Sequence, residues 1–180
     1  MNARLRVSLP ADRLKTGTLE LLVTTSDPGP DFPWKRTFGP IQCYGKADNE
    51  QAIAAKNPNR DPLHTDGDFP LGVYTCRLVI PTAAEIADAV FLREYGPYGY
   101  IELTAVSGDA LTAAENGREG LRVHSGAPNA FGGLRPTHGC LRVSNADFNA
   151  LRAAIEGLGT LELLDLAADE MPDIPVPQAA

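Results

Sequence analysis

Two short stretches carry residues able to do chemistry together: Val123-His124-Ser125-Gly126 and Thr137-His138-Gly139-Cys140-Leu141-Arg142. They set two of the chain's three histidines and one of its three cysteines within seventeen residues, between glycines. A neutral thiol is a poor nucleophile, so a neighbouring imidazole must remove its proton. Glycines let backbone approach a substrate and aim amides at a developing oxyanion. A buried cysteine among satisfied core histidines is the structural alternative. The Gly139-Cys140 step with two nearby histidines favours nucleophilic chemistry over it.

Spacing leaves both histidines open as the base. His138 lies two residues before Cys140, and in an extended segment both side chains point the same way. The amides of Gly139 and Cys140 are natural oxyanion donors. Arg122, Arg135 and Arg142 fall in the same stretch against an acidic background, which suits a carboxylate-bearing substrate. Arg142 anchors either that carboxylate or the loop carbonyls. Thr137 closes a turn through its hydroxyl, at the edge of the substrate-binding stretch. Tyr95, Tyr98 and Tyr100 alternate with Gly96, Pro97 and Gly99, and read as a tight turn with packing tyrosines rather than a cleft wall. His64 reads as a solvated loop histidine and Trp34 as a core anchor.

On these residues the chain resembles the L,D-transpeptidases with a YkuD-type catalytic domain. Their signature is a histidine, a glycine-rich loop, then Ser/Thr-His-Gly-Cys, a hydrophobic residue and Arg or Asn. Here those positions are His124, Ser125 and Gly126, a loop with Gly132 and Gly133, and residues 137–142. Gly67-Asp68-Phe69-Pro70-Leu71-Gly72-Val73-Tyr74 is similar to a further family segment, and Gly45-Lys46 to its Gly-Lys turn. The resemblance spans roughly residues 40–164. It implies a YkuD-type β-sandwich with one main helix after the active-site loop. It also implies two-step acyl transfer on peptidoglycan stem peptides, as donor and acceptor, without a cofactor or metal. In that scheme Cys140 forms a thioester and expels the terminal D-residue, and an amine or water resolves it. The same resemblance makes His124 the base, the Ser125 carbonyl its orienting partner, and His138 a pocket-shaping residue.

The length of 180 residues suits one domain, over residues 1–168, followed by an acidic, Pro-rich tail over 169–180. A net charge of −7 argues against binding nucleic acid through the overall field. No run of eighteen apolar residues exists, so no membrane span is expected. The amino terminus does not read as a signal peptide, although the family works in the cell envelope. A cytoplasmic location or a leaderless export route stays open, as does the oligomeric state. Three cysteines cannot all pair. Cys43 and Cys76 sit in strand-like runs and read as free, buried thiols.

The elements that must position this chemistry are mostly strands. Residues 4–9 and 18–25 alternate polar with apolar and form an opening hairpin. Residues 26–33 are a loop, 38–44 a third strand, and 47–66 a long polar connection with a helical turn near 52–56. Strands follow at 71–80, 100–106 and 120–124, with a short helix or turn at 81–89 between the first two. Residues 140–143 begin the next element. Asn145 is the expected N-cap of a helix over 146–157, with Phe148, Leu151, Ile155 and Leu158 on one side. A final strand covers 160–166.

Three rival readings bear on function. A papain-like or NlpC-type peptidase places cysteine before histidine, the reverse of the order here. A hydrolytic member of the same class, an L,D-carboxypeptidase or endopeptidase acting as a secreted antibacterial effector, shares every site residue. A non-catalytic module would use His124, His138 and Cys140 as metal ligands, or hold the wall with a dormant site. A structural zinc wants a fourth ligand that no motif supplies.

Overall fold

The protein is described by a computed structural model covering residues 2–24, 34–159 and 164–171. The loop expected at 26–33, position 25 of the second strand, the start of the last strand at 160–163 and the tail from 172 lie outside the described residues. The chain is mainly β.

Two strands open it, β1 (Asn2–Leu9) and β2 (Gly17–Thr24), paired antiparallel with Leu5 opposite Leu21. Every second side chain of β1, from Ala3 to Leu9, is buried, as a strand with one wet face requires. Next come β3 (Lys35–Cys43), α1 (Asn49–Ala54) and β4 (Gly72–Val79). They are followed by α2 (Ala83–Ala87), α3 (Ala89–Tyr95), β5 (Tyr100–Ser107) and α4 (Asp109–Glu115). The chain continues with β6 (Arg122–His124), β7 (Leu141–Arg142), α5 (Asn145–Glu156) and β8 (Leu164–Glu170).

All eight strands join one sheet in the order β3-β2-β1-β8-β4-β5-β6-β7. Its pairs are antiparallel except β1 with β8 and β6 with β7. The two ends of this order meet. Tyr44, just past β3, donates its amide to the Arg142 carbonyl at 2.8 Å, and the Arg142 amide donates to the Tyr44 carbonyl at 3.0 Å. A single sheet therefore curls almost shut around a core of Leu5, Leu9, Leu21, Tyr74, Ile101 and Val123. Helix α5 adds Phe148, Leu151 and Ile155 to it.

Several boundaries differ from expectation. Ser144, not Asn145, caps α5: its hydroxyl accepts the Asp147 amide at 3.0 Å. Asn145 instead takes the Gly126 amide on its side-chain oxygen. Helix α4 has no counterpart in the sequence reading. Its sequence Asp-Ala-Leu-Thr-Ala-Ala-Glu buries only Ala110 and Ala113, too weak a stripe to announce a helix. Strand β8 ends at Glu170 because its pairing with β1 continues to Leu9 opposite Glu170, so the first residues assigned to the tail are sheet. Trp34 is half-buried beneath the Arg4 guanidinium, 4.9 Å from its ring centre, and does not anchor the core. All three cysteines are free: Cys43 is buried and Cys76 half-buried.

Candidate active site

Register brings the two chemical stretches together. In the parallel pair β6–β7, Val123 lies opposite Leu141 and His124 opposite Arg142. Val123 and Leu141 face the core, so period-two alternation turns Arg122, His124 and Arg142 to the other face. Cys140 stands one residue before β7. His124 and Cys140 both line a cavity of about 510 Å³ with Asp66, Tyr95, Arg118 and His138.

His124 is buried, and its Nδ1 lies 2.7 Å from the Ser125 carbonyl. A carbonyl only accepts, so Nδ1 carries the proton and Nε2 keeps a lone pair. Ser125 is held in turn by its hydroxyl, which donates to the Tyr95 carbonyl at 3.1 Å. The Tyr95 ring meets the imidazole edge-on, with centroids 5.1 Å apart. Burial, then the Arg142 charge, push His124 down to about 3, against the carbonyls of Ser125 and Glu94. Burial raises the Cys140 thiol, opposed by the Arg122 amide and by Arg122, Arg118 and Arg142. Both shifts favour the uncharged forms, a thiol on Cys140 and a neutral imidazole on His124.

Thr137 does what its hydroxyl suggested. It donates to the Cys140 carbonyl at 2.8 Å and accepts the Gly139 amide at 3.0 Å. The second bond corrects the role given to Gly139, whose amide is occupied and not free for an oxyanion. The Cys140 amide remains of the two expected donors. Gly139 is required for another reason. Its φ is 105°, and a Cβ there would run into the Arg118 guanidinium and the Gly67 carbonyl. Gly126, at φ 128°, is pressed likewise by Arg142 and the carbonyls of Arg93 and Glu94.

Arginines frame the cavity differently from expectation. Arg142 is buried and donates to the carbonyls of Glu94, at 3.1 Å, and Ala127, at 3.4 Å. It braces the loop, while its guanidinium also lines the cavity. Arg135 is committed to Glu94 at 2.8 Å, and Arg122 to the Tyr95 hydroxyl at 2.7 Å and the Tyr100 ring at 4.4 Å. The three do not converge as a carboxylate pocket. Arg118, which no sequence motif singles out, is a buried residue that donates to the carbonyls of Pro62, Gly67, Asp68 and Gly139. It clamps the 62–68 loop onto the segment that carries Cys140. Nothing but its place between Gly117 and Gly120 marked it. Tyr95 was assigned to a turn and instead lines the cavity.

His138 faces the same cavity from its mouth, with Nδ1 3.3 Å from Asp66 Oδ1. His64 is exposed in its loop, 3.8 Å from Asp61. Among the described residues, no three His, Cys, Asp or Glu side chains group to hold a metal ion, and no helix is long and apolar enough to cross a membrane.

Compared with family models and with curated proteins, the chain matches none.

Proposed function

We propose that this protein is a cysteine acyltransferase of the L,D-transpeptidase kind, with a YkuD-type catalytic domain, acting on peptidoglycan stem peptides. The observation that carries this reading is that Cys140, one residue before β7, and His124, at the end of β6, line one cavity, with the imidazole Nδ1 fixed by the Ser125 carbonyl. As Cys140 Sγ attacks the carbonyl carbon, His124 Nε2 takes the thiol proton and passes it to the departing amine of the D-residue. A neutral base of this kind favours proton transfer in step with attack over a standing ion pair. The Cys140 amide supplies oxyanion stabilisation, and one such donor typically contributes about 3 kcal/mol. An acceptor amine then resolves the thioester. No cofactor enters this scheme, and its substrate lies in the cell envelope.

Hydrolysis of the same intermediate is the second reading, favoured by the exposure of His138 at the cavity mouth, where 61% of its side chain meets solvent. One experiment separates the two. The protein and Cys140→Ala are incubated with tetrapeptide-stem muropeptides and a free D-amino acid, and both protein and muropeptide masses are followed. Cys140-dependent exchange of the terminal residue is the expected result. Loss of that residue without replacement turns the reading to a hydrolase, and no change in either protein removes stem peptides as the substrate.

A further inference from the structure

The mechanism above uses one histidine, yet a second histidine faces the same cavity beside a carboxylate. His124 is suited to a proton already inside the protein. It is buried, its Nδ1 is committed to Ser125, and the Tyr95 ring edge lies against it. An acceptor arriving from solvent meets His138 first.

The contact between His138 and Asp66 is built into the fold. The residues that follow them, Gly139 and Gly67, both give their carbonyls to Nη2 of Arg118, at 3.3 and 2.7 Å. One buried guanidinium thus fixes the separation of the two segments that present the pair. Asp66 takes the left-handed backbone region at φ 54°, where aspartate is among the few tolerated residues. The charged and titratable groups on the cavity wall besides His138 and Cys140 are Asp66, Glu94, Tyr95, Arg118, Glu119, His124 and Arg142. Among the described residues, Asp66 is the carboxylate in ion-pair range of the His138 ring. In the tautomer that carries its proton on Nδ1, 3.3 Å from that carboxylate, Nε2 of His138 is left as a proton acceptor.

We propose that His138 and Asp66 form a second acid–base pair that takes a proton from the group attacking the Cys140 thioester. The two proton transfers of the reaction are thereby divided between two histidines. The proposal rests on Cys140 being acylated, as read above. The neutral amine or water adds to the thioester carbonyl carbon. The new C–N or C–O bond forms, the C–S bond breaks with its electron pair on sulfur, and the attacker's proton passes to His138 Nε2. The Cys140 thiolate is reprotonated from water and His138 returns its proton to solvent, so the enzyme ends as it began. Asp66 orients the ring and stabilises the imidazolium, which makes it a positioning residue.

The test forms the acyl-enzyme without the natural substrate. An activated aryl ester of a short N-acylated amino acid transfers its acyl group to Cys140, releasing the phenol. Intact mass follows gain and loss of the adduct, with water or a D-amino acid as acceptor. For His138→Gln, acylation within about threefold of wild type and loss of the adduct about 100-fold slower are expected, in line with general-base contributions. For Asp66→Asn the loss slows about tenfold. The deacylation rate loses its dependence on pH in His138→Gln, which a merely structural role would not cause. Adduct loss at the wild-type rate in both variants, or equal slowing of acylation and deacylation, overturns the proposal. Stem peptides that fail to acylate a Cys140 the ester does acylate would remove the substrate reading and leave this one to the ester data. An ester that leaves Cys140 unmodified overturns both.

Discussion

The sheet around β1, β2 and β8 and its end at β6 and β7 are built from different materials. β1 and β2 run eight residues each and fill the core with Leu5, Val7, Leu9, Leu19 and Leu21. β6 and β7 have three and two residues, and buried polar groups hold them: His124, Ser125, Thr137, Arg118 and Arg142. Apolar packing is non-directional and tolerates small errors, whereas a buried polar network holds a geometry and is costly when a partner is lost. The long strands stabilise, and the short ones aim.

That contrast can be broken most directly at Cys140. Cys140→Ala should abolish acyl-adduct formation while urea unfolding keeps its midpoint near wild type, since the half-buried thiol holds one long contact, 3.7 Å to the Gly120 carbonyl. A large loss of stability would make Cys140 part of the scaffold. Arg118→Ala should cost about 4 kcal/mol, because four carbonyls lose a buried charged donor. Leu21→Ala should cost about 3 kcal/mol through its cavity. Paired urea midpoints at constant slope measure both. Only the arginine variant should also lose acylation, and acylation lost equally in both would erase the division between stabilising and aiming regions.

Acid sharpens the comparison next. His124 is held near 3 in the folded state against its usual 6.5, so the unfolded chain binds the proton first. Its contribution is complete above pH 6.5 and is lost as pH falls toward 3, by an amount on the order of 5 kcal/mol. A His124→Asn variant should show a shallower acid limb in its unfolding midpoints, and an unchanged limb would contradict the buried neutral imidazole. The smallest effect is expected for Thr137→Val, about 1 to 2 kcal/mol. It frees the Gly139 amide and should slow acylation less than tenfold in a stopped ester assay. A loss as large as that of Arg118→Ala would make the hydroxyl the main brace of the loop.

The same division explains what could be read in the sequence. The opening hairpin was legible because Leu5, Val7 and Leu9 alternate with polar residues. Helix α5 was legible because Phe148, Leu151 and Ile155 recur at helical spacing. Cys140 and His124 announced themselves by residue type and flanking glycines. Arg118 did not, since its partners are backbone carbonyls, which every residue carries and no sequence distinguishes. Gly139 was assigned an oxyanion role because the nearby Thr137 hydroxyl, which takes its amide, is fixed only by three-dimensional geometry. Tyr95 was taken for a turn residue, because the Gly-Pro pattern after it gives no sign that its ring turns back onto His124. The sandwich expected by resemblance is, among the described residues, one nearly closed sheet, and closure depends on the pairing of Tyr44 with Arg142, far apart along the chain.

That last pairing has a consequence in time. Residues 44 and 142 are joined across nearly the whole sheet order, and Arg142 stands two residues beyond Cys140. Long-range pairings carry the greatest loop-closure cost and form slowly. In a chain emerging from synthesis, or refolding from denaturant, the local hairpin should therefore pair before the closure that sets the segment around Cys140. The surroundings of Cys140 would then be the last part of the molecule to take shape.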